Sequence, residues 1–371
     1  MLPLLAVSLS SLLPCPLAAG WELLWQRQLP SQSALGKPIG GFSGIQLDPG
    51  QRRLLLLSDS PSSFVLEAQW RGSLLEPQWQ LGEPQPLLNP PEGPLDGEAL
   101  VRLGESYWMA SEGRFGGLQP AALLELRVDP DAAGGGAAGG GNAGSGSAGS
   151  GSAGSEKLSV RGFYPLPDDW QPQAGRGLWP NQGPEALVAL PGQRLLVAAE
   201  RPLQQDPNGQ LRLLLAQLQP RGSAALRFEP MGTPLAYSPE PGAAAHWGLT
   251  DLLPLESGNR QQTGPLLALW RGYAKPNRWW SRLELLAPLA LGPAPQPPRA
   301  PIAQWDLIAL GLEPDNWEAM AVGPSLGDGR STLLLASDDN FNPLQANRLA
   351  LLAPKRIDCG KPAGSAKRLT N

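Results

Sequence analysis

Carboxylates recur at corresponding points of a repeated pattern in this chain. The pattern is a pair of apolar runs around a short turn, and it opens at positions 43, 98, 185, 250 and 318. At or beside the openings stand Ser43, Glu98, Glu185, Asp251 and Glu318. At the far ends of the second runs stand Asp59, Glu112, Glu200, Arg271, Asp338 and Asp339. Glu98, Glu185 and Glu318 are candidate acid–base groups, because a crowded or buried carboxyl holds a raised pKa and can trade a proton near neutral pH. Asp59, Glu112, Glu200, Asp251, Asp338 and Asp339 are candidate ligands for calcium, a hard cation that takes oxygen donors in loose geometry. Such a cation could polarise a phosphoryl or carbonyl oxygen and activate water. Arg201, Arg271 and Asn340 are candidates to hold the substrate. A plainer role competes with all of this. A Glu at a strand start can simply accept bonds from neighbouring backbone N–H groups, and repeated units share residues because the fold needs them.

The elements that must position these groups are hairpins. Glu185–Leu190 leads through Pro191-Gly192 to Leu195–Glu200, and Glu98–Val101 leads through Gly104 to Tyr107–Glu112. The last copy runs from Asp315-Asn316-Trp317-Glu318 through Gly327-Asp328-Gly329, a hairpin turn signal, to Leu333–Asn342. Two further strand-like runs follow each of the first four copies. Only Arg348–Leu352 follows the fifth, and Trp21–Gln26 at the other end supplies the missing strand. Four antiparallel strands per unit, repeated radially and closed by pairing the two ends, make an all-β propeller. Closure removes the unpaired edges that an open ring would leave. The repeats give five blades, with six as the alternative. The first strand of each blade then lines the axis and brings the openings to one end. The second-strand ends fall near the same axis or on the opposite rim.

Residues 1–20 carry no charge and end in Ala18-Ala19-Gly20, which reads as a secretory signal peptide too short to span a membrane. A secreted or periplasmic protein is expected, a single domain over residues 21–354 with a basic tail at 355–371. Of the two cysteines, Cys15 lies in the leader, so Cys359 would be left without an internal partner, and no cysteine zinc site is possible. Residues 132–155 are nearly all Gly, Ala and Ser and read as a disordered loop at an outer hairpin of the second blade. Net charge is −4 with no dense basic block, which argues against nucleic acid. The expected partner is a small molecule, and the expected state a monomer. The 13 tryptophans suit packing between blades, with Trp279-Trp280 open to a contact role. The one histidine, His246, excludes a multi-histidine metal centre, and no Gly-x-Ser-x-Gly elbow is present for a triad.

Gly40-Gly41-Phe42-Ser43-Gly44-Ile45, Asp96-Gly97-Glu98-Ala99-Leu100, Gly183-Pro184-Glu185-Ala186-Leu187, Asn316-Trp317-Glu318-Ala319-Met320 and above all Leu333–Asn342 resemble the phytase-like family, "esterase-like activity of phytase". The resemblance runs from about Gly40 to Leu352. It implies an exported bacterial propeller that hydrolyses esters or phosphoesters, and it brings no agreed catalytic set. Three positions depart from the family pattern. Asp59 is followed by Ser60-Pro61 rather than an early Arg, Trp270-Arg271-Gly272 stands where Glu-Arg-Gly is usual, and Glu112 lacks a second acid after it. Three functions remain open: a cation-assisted hydrolase at the channel mouth, a ligand-binding propeller without turnover, and an interaction propeller whose acidic ring is structural.

Overall fold

The computed structural model describes residues 20–48, 50–60, 63–113, 119–129, 157–207, 209–219, 226–237 and 246–356. The leader through residue 19, the insertion at 132–155, the tail beyond Arg356, and both cysteines lie outside the described residues. Among the described residues there is no helix, and none is long and apolar enough to cross a membrane.

The strands form five four-stranded antiparallel blades. Blade 1 runs outward through Phe42–Asp48, Arg53–Ser58, Phe64–Gly72 and Pro77–Leu81. Blade 2 has Gly97–Leu103, Ser106–Ser111, Ala122–Val128 and Leu158–Pro165. Blade 3 has Pro184–Leu190, Arg194–Ala199, Leu213–Leu218 and Leu226–Pro230. Blade 4 has His246–Pro254, Leu266–Ala274, Arg278–Leu286 and Ala303–Asp306. Blade 5 has Asn316–Gly323, Thr332–Asp338 and Arg348–Pro354, and its outermost strand is Trp21–Gln28 from the other end of the chain. The ring is closed as the sequence predicts, and the count is five rather than six.

The continuous apolar runs of the second strands follow from this stacking. Successive side chains of a strand point to opposite faces, and both faces of a blade meet a neighbour. Leu54 and Leu56 pack towards blade 5, while Leu55 and Leu57 pack towards blade 2. Leu195 and Val197 face blade 2, and Leu196 and Ala198 face blade 4. Leu333 and Leu335 meet blade 4, and Leu334 and Ala336 meet blade 1. The core is thus five apolar layers, one between each pair of neighbouring blades. Truncating one such leucine to alanine costs on the order of 2–5 kcal/mol. Tryptophans fill the wider outer gaps. Trp21 meets Trp305 edge-on at 6.2 Å between blades 5 and 4, and Trp25 meets Trp79 at 6.4 Å between blades 5 and 1.

Candidate functional site: an acidic end of the propeller axis

Every inner hairpin carries the same irregularity. Pairing of the innermost strand slips by one residue between Phe42 and Gly44, Gly97 and Ala99, Pro184 and Ala186, Leu249 and Asp251, and Trp317 and Ala319. The extra residues are Ser43, Glu98, Glu185, Thr250 and Glu318, all buried. A bulge removes its residue from the ladder and re-aims the side chain. Antiparallel pairing then sets the end of each second strand beside the bulge. The N–H of Asp59 donates to Gly41 O at 2.8 Å, that of Glu112 to Asp96 O at 3.1 Å, and that of Glu200 to Gly183 O at 2.9 Å. Arg271 pairs with Gly248, and Asp338 with Asn316. Both sets of candidates, Asp251 apart, therefore meet at one end of the axis.

Glycine two residues before the bulge makes room for the acids. A Cβ on Gly183 would lie 1.9 Å from Glu112 Cβ, and one on Gly248 would lie 2.1 Å from Glu200 Oε1. The acid ending a second strand leans across the backbone of the next blade. Blade 2 has Asp96 where blades 3 and 4 have these glycines, which adds another acid.

One guanidinium sits among them. Arg271 Nη2 lies 3.0 Å from Glu200 Oε1, and its Nη1 3.4 Å from Glu318 Oε1. Burial works against its charge, but Glu318, Glu200, Glu185 and Asp338 hold its pKa above the ordinary guanidinium value. The Ser43 hydroxyl donates to Glu318 Oε2 at 3.1 Å. Asp338 accepts from Asn316 Nδ2 at 2.9 Å and from the Asn340 N–H at 2.6 Å. Asp339 accepts from the Gly41 N–H at 3.0 Å and from Asn347 Nδ2 at 2.8 Å. Asp339 thus ties the final loop to blade 1, and Asp338 ties it to the first strand of blade 5.

On the other side of the axis, carboxylate oxygens of Asp96, Glu98 and Glu112 lie within 4.8 Å of one another. Glu112 lies beside Asp96, and burial together with this neighbour favours its protonated form. Burial, then Glu185, Glu112, Asp96 and Asp59, push Glu98 well above the carboxylate range. Burial and Asp96 do the same to Glu112, and burial, Glu200 and Glu318 to Glu185. Asp59 is pushed up to about 8 by burial and by Glu318, Asp96 and Asp339. Burial raises Glu200 and Glu318 as well, with Arg271 opposing. So many buried acids cannot all ionise together; each extra negative charge requires a proton or a cation nearby.

Asp251 is not brought into this group. The bulge of blade 4 belongs to Thr250, whose hydroxyl lies 3.3 Å from Leu269 O and from Trp317 O. Asp251 opens instead onto the axial channel beyond the bulges, a space of about 400 Å³ lined by all five innermost strands. Its oxygens accept from the Leu252 and Met320 N–H groups, each at 2.7 Å, while burial pushes its pKa to about 8. Blade 4 thus offers the acidic end Arg271 and no carboxylate. Asn340 is exposed on the rim beside Asp338, and His246 is exposed at the start of its strand. Arg201 follows Glu200 and opens onto a lateral pocket of about 320 Å³. Sequence reasoning passed over Asp96, although it stands in an Asp-Gly-Glu unit at an opening, and over the walls of that pocket, which come from separate loops.

Fold and site together define a five-bladed propeller with a carboxylate-lined axial end. Residues 37–341 match the phytase-like family, described as esterase-like activity of phytase, and the chain belongs to that family. No curated protein matches the chain. Among solved structures it is similar to an exo-1,5-alpha-L-arabinanase from a bovine ruminal metagenomic library, with 12% identity and a TM-score of 0.44 over 89% of this chain and 98% of that one. It is similar also to the alpha-L-arabinanase of Cellvibrio cellulosa, with 12% identity and a TM-score of 0.41 over 85% and 92% of the two chains. Likenesses this loose carry nothing about substrate.

Proposed function

We propose that this propeller is an exported hydrolase of small esters or phosphoesters, acting with calcium at the acidic end of its axis. The observation that carries the reading is the convergence of Asp59, Asp96, Glu98, Glu112, Glu185, Glu200, Glu318 and Asp338, from four blades, around one guanidinium. Family membership supports the hydrolase class, and the uncharged, small-residue-ended leader supports export.

The donors fit calcium. Asp96, Glu98 and Glu112 form a closely spaced, all-oxygen set, which is what a hard divalent cation takes. To hold it Glu98 and Glu112, both held well above the carboxylate range, give up their protons, so binding strengthens as pH rises. A bound calcium would supply the positive charge that polarises the phosphoryl or carbonyl oxygen. Glu318, whose ionised form Arg271 and Ser43 favour against burial, takes a proton from the attacking water. Glu185, kept protonated by burial and by its acidic neighbours, returns a proton to the leaving oxygen. Asn340 on the rim and Arg201 beside Glu200 orient the substrate.

The test is hydrolysis of p-nitrophenyl acetate and p-nitrophenyl phosphate by purified protein, with calcium and with chelator. Nitrophenol release is expected, lowered by chelator and reduced about a hundredfold or more in Glu318→Gln. No release above the uncatalysed rate from either ester sinks this reading. The two ion pairs of Arg271 favour the second reading, a binding propeller without turnover, because they neutralise Glu200 and Glu318 inside the ring. Calcium that raises the melting temperature while no ester is cleaved is its signature.

A further inference from the structure

The outer hairpin of blade 4 stands taller at the acidic end than its counterparts. In blades 1, 2, 3 and 5 the second strand stops at Ser58, Ser111, Ala199 and Asp338, at or just before the acid that ends it. In blade 4, Leu266–Ala274 runs on past Arg271, and Arg278–Leu286 stays paired with it to the tip, Tyr273 with Trp279 and Ala274 with Arg278. The face this extension presents follows from the alternation of side chains. Leu267, Leu269, Leu283 and Leu285 pack against blade 5, so Arg271, Tyr273, Trp279 and Ser281 point the same way. Trp280, one residue on, packs with the layer between blades 3 and 4. Tyr273 and Trp279 lie ring beside ring, with centroids 4.5 Å apart. Their polar ends are spent within the hairpin. The Tyr273 hydroxyl donates to Pro276 O at 3.2 Å, and the Trp279 indole N–H to Asn277 Oδ1 at 2.6 Å. Asn277 also reaches the final loop of blade 5, its Nδ2 donating to Leu344 O at 3.2 Å. That loop turns apolar side chains to solvent, with Leu344 69% and Phe341 46% exposed. Its backbone is left-handed at Asn340 and Phe341, with φ of 47° and 50°, and is held so by N–H bonds to Asp338 and Asp339 at 2.6 and 3.1 Å.

From this placement we infer that Tyr273 and Trp279, with the Leu344 loop beside them, seat an uncharged aryl ring, and that the substrate carries its reacting group on such a ring. Residues two apart on one face of a strand stand about 7 Å from each other. A reacting group engaged by Arg271 therefore has its next ring's length at Tyr273, which makes the aromatic pair continuous with the acidic end. With their hydrogen-bonding ends committed, the two rings offer carbon surface and π faces, which an aromatic ring matches better than a saturated one. The acids below repel an aryl carboxylate, which leaves an uncharged ring. The substrate class rests on the hydrolase reading; the aryl seat does not.

The experiment is calorimetric titration of the purified protein with phenol and with its saturated counterpart, cyclohexanol. Phenol is expected to saturate in the millimolar range and to bind at least about threefold more tightly than cyclohexanol. Trp279→Ala should weaken phenol binding about tenfold. Trp279→Phe keeps a ring and guards against loss of the hairpin, and should weaken it by no more than about threefold. In hydrolysis, Trp279→Ala should raise the KM for phenyl acetate about tenfold more than that for ethyl acetate. The inference is overturned if phenol does not saturate, if cyclohexanol binds as tightly, or if Trp279→Ala binds phenol as the unaltered protein does. Saturable phenol binding that is lost in Trp279→Ala, with neither ester cleaved, would keep the seat and remove only the hydrolase reading. Ester cleavage without phenol binding would do the reverse.

Discussion

Arg271 stands where the other blades present a carboxylate, and the charge state of the whole acidic end turns on it. Its two ion pairs are buried, so they resist screening by salt. Removing one partner of a buried pair leaves the other charge uncompensated. Arg271→Gln is therefore expected to destabilise the protein by about 3–5 kcal/mol near neutral pH, read by chemical denaturation. The loss should shrink at pH 5, where Glu200 and Glu318, already raised by burial, take up protons instead. An equal loss at both pH values would contradict the charge argument.

The element that builds the site is the bulged inner hairpin with a glycine before it. Gly183→Ala puts a methyl group onto the Glu112 side chain and backbone and forces blades 2 and 3 apart. Overpacking of this kind costs about 1–3 kcal/mol. Because it displaces Glu112, the rise in melting temperature that calcium produces should also fall; paired melts with calcium and with chelator measure both. The same hairpin explains what the sequence could reveal. Glu98, Glu185 and Glu318 were legible because each opens a Glu-Ala-Leu or Glu-Ala-Met unit, and the bulge falls at the same point in each. Blade 4 lacks that unit, so its frame slips by one. Thr250 takes the bulge, and Asp251 turns to the channel, since neighbours along a strand face opposite ways. Asp96 carried no repeat signal, because Gly41, Gly183, Gly248 and Asn316 hold the matching places. The Arg201 pocket was illegible for another reason. Trp179, Asp206 and Tyr237 come from separate loops, and hydrophobic period says nothing about how loops converge.

At the scale of the molecule the acidic end is a pH-dependent load on the ring. A carboxyl whose pKa is raised by folding contributes stability below its unfolded value, near 4, and loses it as pH climbs through the folded value. Asp59 at the acidic end and, beyond it, Asp251 in the axial channel are both raised to about 8. With chelator present, the melting temperature should therefore fall between about pH 4 and pH 8. Calcium should oppose that fall, and its increment should grow with pH; a calcium effect that shrinks towards pH 8 would rule out the acidic end as the binding site. Leucine-rich second strands and a final blade one strand short made the ring itself legible. The short pairs Gln85–Pro86 with Phe64-Val65, and Gln210-Leu211 with Leu235-Ala236, were not, because two residues leave no periodic trace.

The junction of Trp21–Gln28 with Arg348–Pro354 also governs the order of assembly. Trp21–Gln28, made before the other strands of the ring, finds its neighbour only when Arg348–Pro354 has appeared, so four sheets can form while the circle is still open. A chain trimmed anywhere before Trp21 keeps its clasp. One trimmed past Gln28 exposes the Arg348–Pro354 edge and Trp305, and two copies could then join edge to edge.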